Sequence, residues 1–145
     1  MRSATPVNPR YVEDVTAVVG TTPAMRFYGF ELVRVGPGIV ELALDFREPL
    51  TAVPGTFQGT IQGAIADFAG TLAALTLCEQ GSKVATIDYT LKFMEPAKGA
   101  RLFGRGRVLR PGKSLTFCAA DVFVERDGQE RHCAACLLTT RNFAP

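Results

Sequence analysis

With 145 residues, 47% hydrophobic and 21% charged, the chain is long enough to build one domain and its core without disulfide or metal staples. A formal charge of +2 and a pI near 8.4 exclude nucleic acid as the main partner and still suit an anionic small molecule. Met1 to Arg10 lacks the apolar run of a secretory signal, and the longest apolar segment is rich in Gly, Ala and Thr and carries an Asp, so a cytoplasmic protein without membrane attachment is expected.

Asn8-Pro9 is expected to cap and start a short helix through Val19, closed by Gly20, with Thr22 to Tyr28 adding a further turn. Residues 1–21 form this N-terminal helical segment and 22–145 the main domain. Phe30 to Val35 and Ile39 to Phe46 read as strands around Gly36-Pro37-Gly38, and Pro49 to Gly55 as a loop. Gly59 to Cys78 reads as one long helix. Four strand-like runs follow, Val84 to Met94, Arg101 to Arg110, Lys113 to Glu125 and Glu130 to Thr140. The turn signals between them are short, which makes the strands antiparallel. The order predicts an α+β domain in which one curled antiparallel sheet of about six strands wraps a long central helix.

That helix carries a single charged side chain, Asp67. A helix that is apolar or small nearly all round must be covered by protein on most sides. Ile61, Ile65, Phe68, Leu72 and Leu75 form one stripe for the core, whereas Asp67 lies away from it among Thr60, Gly63, Gly70, Thr71 and Ala74. One sheet covers only part of such a helix. A second subunit is the simplest cover, so a symmetric homodimer, or a dimer of dimers, is expected.

The cysteines Cys78, Cys118, Cys133 and Cys136 read as reduced and mostly buried. Cys133 and Cys136 form a CxxC, but on a strand, where residues three apart point to opposite faces, and without a second pair. Neither a metal nor a redox site is expected. His132 is the only histidine, so a His-dependent triad has nowhere else to form. Arg101, Arg105 and Arg107 alternate along one strand, either as a solvated edge face or as contacts for the phosphates of a ligand.

Three segments together resemble the hotdog-fold thioesterases of the phenylacetate-degradation type, called PaaI-like. They are Thr22-Pro23-Ala24-Met25-Arg26 with Tyr28-Gly29-Phe30-Glu31-Leu32, then Gly63-Ala64-Ile65-Ala66-Asp67-Phe68-Ala69-Gly70, then Thr86 through Ala97. The resemblance runs from about Thr22 to Thr140. It implies an acyl-coenzyme A substrate and no cofactor beyond it. It also implies that Asp67 activates water or attacks the thioester, that the Gly59 amide polarises the carbonyl, and that Thr86 orients the water or the carboxylate. The Asp67 and Gly59 of one site then come from different subunits. Gln58 stands next to Gly59, and Thr60 and Thr71 are expected to border the substrate. Members commonly carry His-Gly-Gly where this chain has Gln58-Gly59-Thr60, and Asn where it has Ala52. These departures favour a second reading, an acyl-coenzyme A or apolar-ligand binding protein without catalysis; a third is a hydratase acting on enoyl thioesters, whose known relatives use an Asp and His pair.

Overall fold

The computed structural model describes residues 5–145; the first four residues of the expected N-terminal segment lie outside it. Helix α1 spans Tyr11–Thr21 and α2 Pro23–Tyr28. The start of α1 falls later than Asn8-Pro9 suggests. Asn8 does not cap it; its Oδ1 accepts from the Arg10 amide at 2.9 Å and its Nδ2 donates to Asp14 at 2.7 Å, bracing the turn before the helix. Gly20 lies inside α1, and the break comes at Thr22, whose extended backbone sets Pro23 at the start of α2.

Strands β1 (Glu31–Gly36), β2 (Ile39–Asp45), β5 (Lys83–Phe93), β6 (Arg101–Arg110), β7 (Leu115–Arg126) and β8 (Gln129–Phe143) make one antiparallel sheet in the order β1-β2-β6-β7-β8-β5. The loop expected from Pro49 to Gly55 instead supplies one strand of a two-stranded ribbon, β3 (Thr51–Val53), which pairs with β4 (Thr56–Phe57) just past it. These pieces are too short to show a period of two in sequence. The β7–β8 hairpin turns on Asp127 and Gly128, both at positive φ, 54° and 74°, the backbone that a tight two-residue turn requires.

Helix α3, Gly59–Leu75, lies in the curl of the sheet against β2, β5, β6, β7 and β8. It is shorter than the expected run to Cys78. Thr76 closes it: its Oγ1 donates to the Ala73 carbonyl and accepts from the Gly38 amide, both at 2.7 Å, and the next amides bond three residues back, tightening the last turn. The helix sits close to β6 because Gly104 and Gly106 have no side chains. A Cβ at Gly106 would stand 2.2 Å from the Ala69 carbonyl oxygen, and one at Gly104 2.8 Å from Ile65.

The core gathers on the helix side of the sheet, with Leu42, Ile65, Leu102, Val122 and Val124 wholly enclosed. Of the expected stripe, Ile61, Ile65 and Leu72 are buried, while Phe68 and Leu75 are partly so. The arginine row is not at an edge, since β6 is an inner strand. Arg101 pairs with Glu31 and Asp45, Arg105 with Glu41 and Glu130, and Arg107 with Asp121, so the row is balanced by acids on its own protein.

Candidate active site

Asp67 sits midway along α3, half-buried, on the side that faces β5. Its Oδ1 accepts a hydrogen bond from Thr86 Oγ1 at 2.5 Å and another from Thr71 Oγ1 at 3.4 Å. The two hydroxyls also bond each other at 2.8 Å. Thr71 is one turn along the helix from Asp67, hence on the same face. Thr86 arrives by a less regular route. β5 pairs Thr86 with Thr140 but Asp88 with Thr139, so Ile87 is an extra residue, a β-bulge. The bulge reverses the parity of the strand. Sequence alternation groups Thr86 with Asp88, Thr90 and Lys92; in the structure it turns to the helix with Tyr89, Leu91 and Phe93, which reach Gly63 and Gly59.

Both bonds to Asp67 fall on one oxygen, so the other is left for a further partner. Thr60, a candidate neighbour of Asp67, is exposed at the first turn of α3 and is not one of these partners. Cys136 on β8 is close enough for the charge of Asp67 to act on it; burial first, and that charge second, push its thiol up to about 11. Burial likewise lifts Cys118 to about 12 and Cys133 to about 11, so these side chains remain thiols at neutral pH. Among the described residues no three His, Cys, Asp or Glu side chains gather to hold a metal. His132 is on the outer face, stacked on Phe123 at 4.6 Å with Nε2 3.0 Å from Asp121.

The second polar centre is the start of α3. The Gly59 amide donates to the side-chain oxygen of Gln58 at 3.1 Å. Helix N-terminal amides lack partners in the helix and carry its positive dipole end, so a carbonyl or oxyanion fits where Gln58 Oε1 now rests. Here a cavity of about 360 Å³ opens, lined by Ala52, Gln58, Gly59, Gln62, Phe93 and neighbouring residues. Phe93 lies over Gly59, its ring 3.1 Å from where a Cβ would be. Gln62, which is not among the residues expected at the site, also lines this cavity. It is 4% exposed, and its carboxamide oxygen has no hydrogen-bond partner among the described residues. The signal available was a long polar side chain on the side of an apolar helix that the sheet covers.

Gly59 and Asp67 are eight residues apart, about 12 Å along the axis at 1.5 Å per residue. Beside Thr71 a separate, largely apolar cleft of about 340 Å³ runs between α1, α2 and α3, lined by Val18, Met25, Phe68, Leu72 and Leu75.

Residues 54–130, more than half of the chain, match the family model described as the thioesterase superfamily. The chain belongs to the thioesterase superfamily. Human acyl-coenzyme A thioesterase 13 is 30% identical over 99 residues, 68% of this chain and 70% of that protein. A putative esterase of Sulfurisphaera tokodaii is 24% identical over 123 residues, 84% of this chain and 89% of that protein. Among solved structures, a thioesterase family protein from Silicibacter pomeroyi superposes with a TM-score of 0.90 at 30% identity, covering 93% of this chain and 99% of that one. The E. coli PaaI protein of the phenylacetic acid degradation operon superposes with a TM-score of 0.82 at 14% identity over 93% and 94% of the two chains, a likeness of fold. The hotdog architecture expected from the sequence is therefore the one observed, and this thioesterase-superfamily chain is a hydrolase by its relatives.

Proposed function

We propose that this thioesterase hydrolyses acyl-coenzyme A to a free acid and coenzyme A. Asp67 activates the water, and the Gly59 amide holds the developing oxyanion. The carrying observation is the half-buried Asp67, bonded through one oxygen to Thr86 and Thr71. Those hydroxyls fix the carboxylate and leave its second oxygen to take a proton from water. As the water oxygen bonds to the thioester carbon, the carbonyl electrons move onto oxygen and are met by the Gly59 N–H, displacing Gln58 Oε1. The C–S bond then breaks and the thiolate leaves with the proton. Thiolate is a good leaving group, so a carboxylate and an oxyanion donor suffice and no metal or redox cofactor takes part.

The 12 Å between Gly59 and Asp67 along one helix supports a site completed by a second copy, in which one subunit supplies Asp67 and the other Gly59. The unpaired edge strand β5, with Ile87, Tyr89 and Phe93 half exposed, is the surface such a partner would cover. The homodimer, its pairing into tetramers and a cytoplasmic location belong to this proposal. Among the described residues no helix is long and apolar enough to cross a membrane. Thr60, exposed at the mouth of the N-terminal cavity, is a contact for the substrate, and Thr71 borders both the carboxylate and the apolar cleft, where the acyl group fits.

The test is release of free thiol from aromatic and aliphatic acyl-coenzyme A esters by the wild type and Asp67→Asn. Turnover that collapses in a folded Asp67→Asn variant supports the reading. A second reading, ligand binding without catalysis, is favoured by the Gly59 amide being bonded to Gln58; tight binding without turnover, unchanged in Asp67→Asn, would select it. The hydratase reading lacks a histidine near Asp67, since His132 lies on the outer face.

A further inference from the structure

Gln62 holds a carboxamide where a soluble protein rarely tolerates one. It is one turn inside α3, 4% exposed, and its Oε1 meets no donor among the described residues. A buried acceptor without a partner is a liability to stability, and leucine in that position would remove it. The same side chain lines the cavity that contains Gly59 and Gln58. What Oε1 lacks is a donor, and a thioester group has none: its oxygen and sulfur only accept. Within the proposed ligand, the part that carries a donor is the thiol arm.

Gln62 stands three residues beyond Gly59, about 4.5 Å along the helix axis. In a pantetheine-type thiol the first N–H is an amide separated from the sulfur by two methylenes, a comparable span from a thioester carbonyl held at Gly59. We propose that the Gln62 carboxamide oxygen accepts the hydrogen bond of this first amide N–H, making Gln62 the residue that distinguishes pantetheine-type thioesters from simpler ones. The inference rests on the thioester reading above and adds the thiol arm to it. A site that leaves a buried acceptor unpaired when the donor is missing discriminates strongly against the ligand that lacks it.

The test uses binding, so that it does not depend on turnover. Two unreactive thioethers carry the same acyl-like group, one on N-acetylcysteamine and one on the arm in which the amide is replaced by an ester; they differ by the N–H alone. Calorimetry should show the wild type binding the amide about tenfold more tightly than the ester. Gln62→Leu and Gln62→Met should bind both alike, with a Tm equal to or above that of the wild type. An equal affinity of the wild type for the two ligands, or a preference that survives in both variants, would overturn the proposal. So would a Tm that falls in both, because Gln62 would then already have its partner in the folded protein. Absence of thioester turnover in a wild type that still prefers the amide would remove the catalytic reading and leave the Gln62 contact standing.

Discussion

At Asp67 the chemistry depends on where its hydrogen bonds fall. Thr86 holds Oδ1 at 2.5 Å and Thr71 at 3.4 Å, and a hydrogen bond to a charged group contributes about 1.5–3 kcal/mol when the geometry is good. Asp67→Asn should lower kcat by about 10² to 10⁴-fold with little change in Tm, the range for loss of a general base. Thr86→Ala should lower kcat by about tenfold or more and Thr71→Ala by less, because the shorter bond orients the carboxylate. Steady-state kinetics of the three variants checks the order; a larger loss from Thr71→Ala would mean that the helix, not β5, positions the acid. Asp67 was legible in the sequence as the one charge on an apolar helix. Gln62 was not, because a single polar residue in such a helix carries no sign of whether its partner is protein or ligand.

At the scale of elements, the approach of α3 to β6 is set by two glycines. Gly106→Ala drives a Cβ against the Ala69 backbone at 2.2 Å, whereas Gly70→Ala meets only the tip of Leu138 at 2.5 Å. Backbone cannot move aside as a side-chain tip can, so Gly106→Ala should cost about 3 kcal/mol or more and Gly70→Ala clearly less in urea denaturation. The long helix and the six strands were readable from periodicity and turn residues, to within a few residues at each end. The bulge at Ile87 was not: a one-residue insertion leaves no mark in an alternating pattern, yet it decides that Thr86 faces Asp67. The β3–β4 ribbon was hidden for a similar reason, its strands being three and two residues long.

For the whole molecule, the buried thiols make stability depend on alkaline pH. Cys118, Cys133 and Cys136 are lifted by burial from an ordinary 9.0 to about 12, 11 and 11. The folded chain thus keeps protons that the unfolded chain releases. This contribution is fully present below about pH 9 and is lost as the pH rises toward the folded values, by about 1.4 kcal/mol per pH unit for each such thiol. Urea denaturation from pH 8 to pH 10.5 in reductant should show that fall, and Cys118→Ala should reduce the slope by about one thiol's share; an unchanged slope would mean that Cys118 is open to solvent.

The proposed pairing of Asp67 from one subunit with Gly59 from another predicts that two inactive chains restore activity when mixed. Asp67→Asn removes the acid, and Gly59→Pro removes the N–H at the first helical position, where the backbone suits proline and the Phe93 ring must give by a few tenths of an ångström. Co-refolded in equal amounts, they should recover about a quarter of wild-type thiol release, since half of the dimers are mixed and each mixed dimer has one intact site. No recovery in a preparation shown to contain the mixed dimer would rule out the shared site and put Asp67 and Gly59 of each site in the same chain.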